Sequence, residues 1–325
     1  MIKMAFLHLI PPGVFKSANG PLGIAYIASY LEEKLGVTDT WLEVDPNHLI
    51  YSQPDIVGIC SYSWSYTLIK DYAKRIKQAL DVPIILGGPH ITALPDSLDS
   101  WIDVGVLGEG EETVGELIQL YQANQWSSAF FKEVKSIVYH DDGKRRVTWK
   151  REVPENLDDL PSPKRSILRS YDPKQKKMIH WLQGLNTSRG CPFTCQYCVH
   201  SSLLEKVRFH STERIISEIE EISAYYPDTH CLTFHDELFA LSKKRLNDLV
   251  EAIEAKGLQK KVSFNCMTRA NNFDEEIADL MQRMNMELVG FGFESNSPKV
   301  LKFLKIGHVE VTDHDRVLDL CEKYE

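Results

Sequence analysis

The sequence predicts an α/β protein in which a doubly wound, mainly parallel sheet is followed by a second, barrel-like series of β/α units. Three observations carry that expectation. Short apolar runs alternate with amphipathic stretches of helical length along most of the chain. Glycine-rich turns, Gly87-Gly88 and Gly108-Glu109-Gly110, follow apolar runs, at the strand ends where such sheets bind ligands. Between the halves, Pro154, Pro161, Pro163 and Pro173 punctuate a charged stretch with little periodicity, which reads as a linker. The expected divisions are a first domain over 1–130, a hairpin and Pro-rich connector over 131–182, and a second domain over 183–325.

In the first domain Lys3 to Ile10 reads as a strand. Leu22 to Leu35 reads as a helix, with Leu22, Ala25, Tyr26, Ser29 and Tyr30 near one face and Gly36 as its stop. Thr40 to Val44 and Asp55 to Cys60 are the next strands, and Cys60 reads as a small core residue. A helix from Thr67 to Leu80 precedes the buried strand Pro83 to Leu86, and a short strand at Val104 to Leu107 runs into a final helix. At Gly87-Gly88 and Gly108-Glu109-Gly110 the backbone can approach a large flat ligand, with plain turns as the alternative. Neither is a phosphate loop, because the chain has no G-x-x-x-x-G-K and no G-x-G-x-x-G after its first strand. Asp141-Asp142-Gly143 between two strand-like runs signals a hairpin in the connector.

In the second domain a strand over Gly184 to Ser188 leads to a cysteine-rich loop. Helices are expected at Thr212 to Tyr226, from Ser242 to Ala255, at Asp274 to Met284 and at Thr312 to Tyr324. Strands are expected at Cys231 to Glu237, Val262 to Cys266 and Glu287 to Glu294. Each strand ends on a polar group: Asp236 and Glu237, then Arg269, then Glu294. An arginine there is suited to hold a carboxylate by a bidentate pair, and a surface charge is the plain alternative for each.

The loop itself is Arg189-Gly190-Cys191-Pro192-Phe193-Thr194-Cys195-Gln196-Tyr197-Cys198, with the spacing C-x3-C-x2-C. Pro192 and Gly190 favour a tight turn that brings three sulfurs toward one centre. Thiolates are soft ligands suited to iron-sulfur clusters or zinc. Three cysteines are one short of an ordinary electron-carrying cluster, and zinc would need His200 as a fourth ligand across a short gap. Cys231, Cys266 and Cys321 read as structural.

Composition bounds the setting. The chain has 325 residues, 43% hydrophobic and 26% charged, as in an ordinary globular protein. A net charge of -9 gives no basic surface for nucleic acid. No signal-peptide pattern and no apolar run of about 18 residues is present, so a cytoplasmic location is expected.

Cys191, Cys195 and Cys198, with Tyr197 before the last, resemble the signature loop of the radical S-adenosylmethionine (SAM) enzymes. In that family three cysteines hold a 4Fe–4S cluster whose open iron is chelated by the amino and carboxylate groups of SAM, and cluster reduction releases a 5′-deoxyadenosyl radical. The resemblance implies that Tyr197, Asp236, Glu237, Arg269 and Glu294 contact the cofactor, with Asp236 and Glu237 toward the methionine amino group and Glu294 toward the ribose. Pro11-Pro12, Pro21-Leu22-Gly23, Gly87-Gly88-Pro89-His90 and Gly108-Glu109-Gly110-Glu111 together look like the cobalamin-binding domain of a large class of these proteins. That likeness assigns Gly87, Gly88, Gly108, Glu109 and Gly110 to cobalamin. Asp45-Pro46-Asn47-His48 is the nearest string to the D-x-H-x-x-G of other cobalamin domains and lacks its spacing and glycine, while His90 reads as a loop histidine. Leu157 to Pro163 resembles the bridge between the two domains, expected to dock its apolar residues on the second.

The implied activity is methylation of an unactivated carbon on a small-molecule or peptide substrate, with an external electron donor of the flavodoxin or ferredoxin type. A cobalamin-dependent cyclase or rearrangement enzyme is the runner-up, and a noncatalytic cluster- or cobalamin-binding protein is the rival from another class. Four strand-helix units are visible where the family core has six, so the chain is expected to be a fragment or a barrel completed by another chain.

Overall fold

The structure is a computed structural model describing residues 2–9, 21–36, 38–172, 177–180, 183–199 and 206–324. Pro11, Pro12, Pro173 and His200 lie outside the described residues. The chain forms two compact units, Met1–Val153 with Leu160–Trp181, and Pro154–Asp159 with Leu182–Glu325.

The first unit is built on β1 (Ile2–His8), β2 (Thr38–Glu43), β3 (Ile56–Cys60), β4 (Ile84–Gly87) and β5 (Val104–Val106), all parallel. An antiparallel hairpin, β6 (Ile137–Asp141) and β7 (Lys144–Val147), extends the sheet in the order β2-β1-β3-β4-β5-β6-β7. Alternate residues of β1 point to opposite faces, so Met4 and Phe6 enter one core while Ala5 and Leu7 enter the other. Helices α1 (Leu22–Tyr30) and α5 (Glu111–Gln122) supply the first core; α2 (Pro46–Ser52), α3 (Tyr66–Leu80) and α4 (Pro89–Ala93) flank the other face. Both faces being covered explains why the strands read as continuous apolar runs. The sheet order reverses between β1 and β3, whose last residues, His8 and Cys60, are register partners.

Two stretches singled out in the sequence find their place here. Asp45-Pro46-Asn47-His48 opens α2, with the Asp45 carboxylate accepting from the Asn47 amide at 2.7 Å and Pro46 in the first turn. His90 is not in a loop but in α4, whose start is Gly88 at φ 99°.

A single turn, α6 (Ser128–Phe131), precedes the hairpin. The segment after it divides. Asp158 accepts from the Ser211 amide and lies 2.8 Å from His210 Nδ1 in the second unit, whereas Lys164 donates its amide to Ala25, and Ile167 and Leu168 join the first core. The stretch Leu157 to Pro163 is thus split, Leu157 to Asp159 belonging to the second unit and Leu160 to Pro163 to the first. Backbone pairing of β8 (Arg169–Asp172) with β9 (Lys177–His180) closes the first unit.

In the second unit β10 (Gly184–Leu185) precedes the antiparallel pair β11 (Ser188–Arg189) and β12 (Arg208–Phe209). Three β/α steps follow: α7 (Thr212–Tyr225) to β13 (Cys231–Phe234), α8 (Lys243–Lys256) to β14 (Ser263–Thr268), and α9 (Glu275–Arg283) to β15 (Met286–Phe291). Strands β10, β13, β14 and β15 form a parallel sheet in that order. Ser211, Ser242 and Asp274 cap the three helices through their side chains, as their residue types predict. Helices α10 (Pro298–Leu304) and α11 (Val311–Lys323) come last. The single strand expected over Gly184 to Ser188 is broken, because Thr187 and Ser188 turn their donors onto Asp236. Among the described residues no helix is long and apolar enough to cross a membrane.

Candidate functional site

The second unit collects its polar strand ends around the cysteine loop. None of the seven cysteines is in a disulfide; Cys191, Cys195 and Cys198 are half-buried, whereas Cys321 is exposed on α11 rather than structural. Burial pushes the Cys191 thiol up, and Cys195, Cys198 and Glu237 add to the push. Among the described residues no group of three His, Cys, Asp or Glu side chains is drawn together as a single-ion site.

Asp236 lies just past β13 and is 3% exposed. It accepts from the Thr187 amide at 2.6 Å, from the Thr187 hydroxyl, and from the Ser188 hydroxyl at 2.6 Å. Its carboxylate thus fixes the backbone that enters the cysteine loop, and the neighbouring Glu237 is the exposed one. The two acids, expected to share a role, thus sit in different surroundings.

Arg269, at the end of β14, is buried against the loop. Its guanidinium lies 3.8 Å from the Phe193 ring centroid, Nη1 donates to Cys195 Sγ at 3.5 Å, and Nη2 donates to the Lys305 carbonyl at 3.4 Å. Glu294, beyond β15, adopts the left-handed region at φ 61°. The Tyr197 hydroxyl donates to Glu294 Oε1 at 2.6 Å, and Lys305 Nζ donates to the Tyr197 oxygen at 2.6 Å and to Glu294 at 3.1 Å. Burial and the Glu294 carboxylate raise the Tyr197 phenol, while the Tyr197 and Lys305 donors lower Glu294. A Cβ on Gly292 would sit 2.6 Å from Glu294 Oε1, so a side chain there would displace that carboxylate.

Lys305, Phe193, Thr187 and Ser188 were not legible as site residues. A lysine after a short helix looks like a solvated cation; only its 5% exposure shows otherwise. The pairing of α10 with the loop, where the Gln196 amide donates to the Leu304 carbonyl at 3.0 Å, has no sequence signal at all.

In the first unit the carboxyl ends of β1, β3 and β4 align His8, Cys60 and Gly87 across the sheet. Added Cβ atoms at Gly87 or Gly108 would meet nothing within 4 Å, so the backbone there is open to a ligand. Gly88 is different: its φ is 99° and a Cβ would lie 2.8 Å from the Ser61 carbonyl oxygen. Gly110 is packed on Ile27, and Glu109 is half-buried beside it. Tyr62 stacks on the half-exposed Trp64, an aromatic step whose sequence signal is the string Ser61-Tyr62-Ser63-Trp64 after a strand, overshadowed by the glycines. His90 is stacked on Tyr66 at 3.9 Å and has both ring nitrogens engaged, Nδ1 by Ser63 and Nε2 by Ser97. Burial pushes the His8 imidazole down to about 4 and the Cys60 thiol up to about 11.

A doubly wound sheet with an open glycine edge, joined in one chain to a β/α unit bearing three thiols on a braced loop, defines a cobalamin-dependent radical SAM protein. Both donor sets fit: soft sulfurs for an iron-sulfur cluster, and a side-chain-free backbone edge for a large planar ligand. Residues 13–118 match the B12 binding domain and residues 185–324 the Radical SAM superfamily. The chain belongs to the radical SAM superfamily, among its members with a B12 binding domain, whose cofactors are a 4Fe–4S cluster, SAM and cobalamin.

The chain is 32% identical over 328 residues to the uncharacterized methyltransferase PH0819 of Pyrococcus horikoshii, covering 94% of this chain and 69% of that protein. It is 24% identical over 299 residues to the anaerobic magnesium-protoporphyrin IX monomethyl ester cyclase of Cereibacter sphaeroides, covering 85% of this chain and 47% of the cyclase. The radical SAM methyltransferase TsrM from Kitasatospora setae, solved with cobalamin and a [4Fe-4S] cluster bound, shares the fold with a TM-score of 0.77 at 17% identity, covering 100% of this chain and 65% of TsrM.

Proposed function

We propose that the chain acts as a cobalamin-dependent radical SAM methyltransferase on an unactivated carbon of a small-molecule or peptide substrate. The observation that carries the proposal is the braced three-thiol loop in a chain that also bears a B12 binding domain. Bound here, the cofactors supply an electron, a 5′-deoxyadenosyl radical for hydrogen abstraction and a transferable methyl group.

Cys191, Cys195 and Cys198 are the cluster ligands. Asp236 holds the entering backbone, leaving Glu237 as the acidic group open to the SAM amino end. The Tyr197 hydroxyl and Lys305 Nζ both donate to Glu294 Oε1, and Glu294 is the group that would accept from the SAM ribose. Gly87, Gly88, Gly108, Glu109 and Gly110 form the cobalamin edge, with His90 held by its serines and not a cobalt ligand. A reducing, cytoplasmic setting goes with this chemistry, and seven cysteines outside any disulfide support it. A flavodoxin- or ferredoxin-type protein is the external electron donor.

The name of the cyclase relative supports a second reading, anaerobic ring closure with the same cofactors. One experiment separates the two. The anaerobically reconstituted protein, given hydroxocobalamin, reductant and SAM deuterated in its methyl group, is followed by mass spectrometry. Label appearing on cobalamin supports methyl transfer. SAM cleavage with cobalamin bound but never labelled favours the cyclase reading.

A further inference from the structure

We propose that Arg269 sets the reduction potential of the cluster held by Cys191, Cys195 and Cys198, acting as a positioning residue through the Cys195 sulfur. The inference rests on the cluster assignment above and adds a role to a residue expected from sequence to hold a carboxylate.

Four features of the geometry point this way. Arg269 is 6% exposed, so its charge is poorly screened by water. Its described partners are a ring face, a carbonyl and a sulfur, and only the sulfur can carry a negative charge. The Phe193 ring, two residues after the first cysteine, fixes the guanidinium plane at 3.8 Å and aims Nη1 at Cys195 Sγ. Nε is buried with no hydrogen-bond acceptor among the described residues, so this cation is not already satisfied by a carboxylate fork.

The physical consequence follows from charge. The cluster takes one electron from an external one-electron donor, which is oxidised as the cluster is reduced. No proton or leaving group moves in that step, so the cluster and its thiolates become more negative by one charge. A buried cation with an N–H aimed at one of those sulfurs stabilises the reduced form more than the oxidised form and raises the potential. Arginine suits the position because its charge persists at any working pH and its planar fork holds ring and sulfur together.

The test uses the parent chain and the variants Arg269→Gln and Arg269→Lys, reconstituted anaerobically without SAM. Iron and sulfide content establish loading, and an EPR-monitored redox titration gives the midpoint. Arg269→Gln is expected to disfavour reduction tenfold or more, about 59 mV for a one-electron couple. Arg269→Lys keeps the charge, loses the fork and is expected to fall between, at least threefold below the parent. Midpoints of both variants within twofold of the parent overturn the inference, and so does normal potential combined with weakened SAM binding, the signature of a carboxylate holder. If the Gln variant takes up no cluster, the Lys variant decides: a midpoint within twofold of the parent is again contrary. A parent chain that loads no cluster overturns the assignment beneath, a failure distinct because it precedes any substitution.

Discussion

The Tyr197 hydroxyl donates to Glu294 Oε1 at 2.6 Å, tying the residue before the last loop cysteine to the far side of the fourth parallel strand. Lys305 closes the triangle from below, so one buried cation holds both groups. Removing the acid leaves that cation with only a phenol. Glu294→Ala is expected to cost about 1–3 kcal/mol in denaturant melts, whereas Tyr197→Phe, which keeps the Glu294–Lys305 pair, costs about 1 kcal/mol or less. Both variants should lose iron faster than the parent on anaerobic gel filtration.

Asp236 answers to a different measurement. It accepts three hydrogen bonds from Thr187 and Ser188 while buried, so Asp236→Ala strands three donors. A loss of about 2–4 kcal/mol in stability is expected, with iron uptake abolished. Glu237→Ala, at the exposed neighbour, should leave melts unchanged and weaken SAM binding in calorimetry. Equal melts for the two variants would contradict the division of labour.

Two adjacent glycines separate structure from binding in the first unit. Gly88→Ala forces a side chain into the left-handed region against the Ser61 backbone and is expected to destabilise by about 1–3 kcal/mol. Gly87→Ala meets nothing within 4 Å, so stability is expected to hold while hydroxocobalamin affinity falls severalfold by absorbance titration. Unchanged affinity in Gly87→Ala would remove that glycine from the cobalamin edge.

Acid should weaken the first unit through His8. Its folded value is about 4 against about 6.5 unfolded, so the unfolded chain binds the proton first and stability drops as pH falls through that window. The expected loss from this group between about pH 7 and pH 5 is roughly 2 kcal/mol. His90 and His210, also lowered by burial, act in the same direction. Urea midpoints at the two pH values should therefore converge in His8→Gln, and an unchanged pH slope in that variant would contradict the assignment.

Much of this was legible before any coordinates. Apolar runs found the strands of the first sheet because burial on two faces demands continuous apolar sequence, those of the second showed through the alternate residues that enter its core, such as Leu232, Phe234, Phe264 and Cys266, and side-chain caps at Ser211, Ser242 and Asp274 marked helix starts. The cysteine spacing found the loop because its chemistry is local in sequence. What brace it are long-range contacts: Arg269 reaches Cys195 across 74 residues and Lys305 reaches Tyr197 across 108. Composition cannot report such pairs. Asp236 and Glu237 are adjacent acids that the sequence does not tell apart, and only the fold buries one and exposes the other. The short helices α2 and α10 were missed although Asp45-Pro46 and Ser297-Pro298 stand at their starts, because neither is long enough to show a periodic face.

The most direct test of the functional reading is product analysis on the anaerobically reconstituted chain after reduction with dithionite in the presence of SAM. The expected result is a cluster of four irons with its broad visible absorption and the appearance of 5′-deoxyadenosine, both lost in Cys191→Ala, Cys195→Ala and Cys198→Ala. A reconstituted, reducible cluster that yields no 5′-deoxyadenosine, or 5′-deoxyadenosine that persists without the three cysteines, would contradict it.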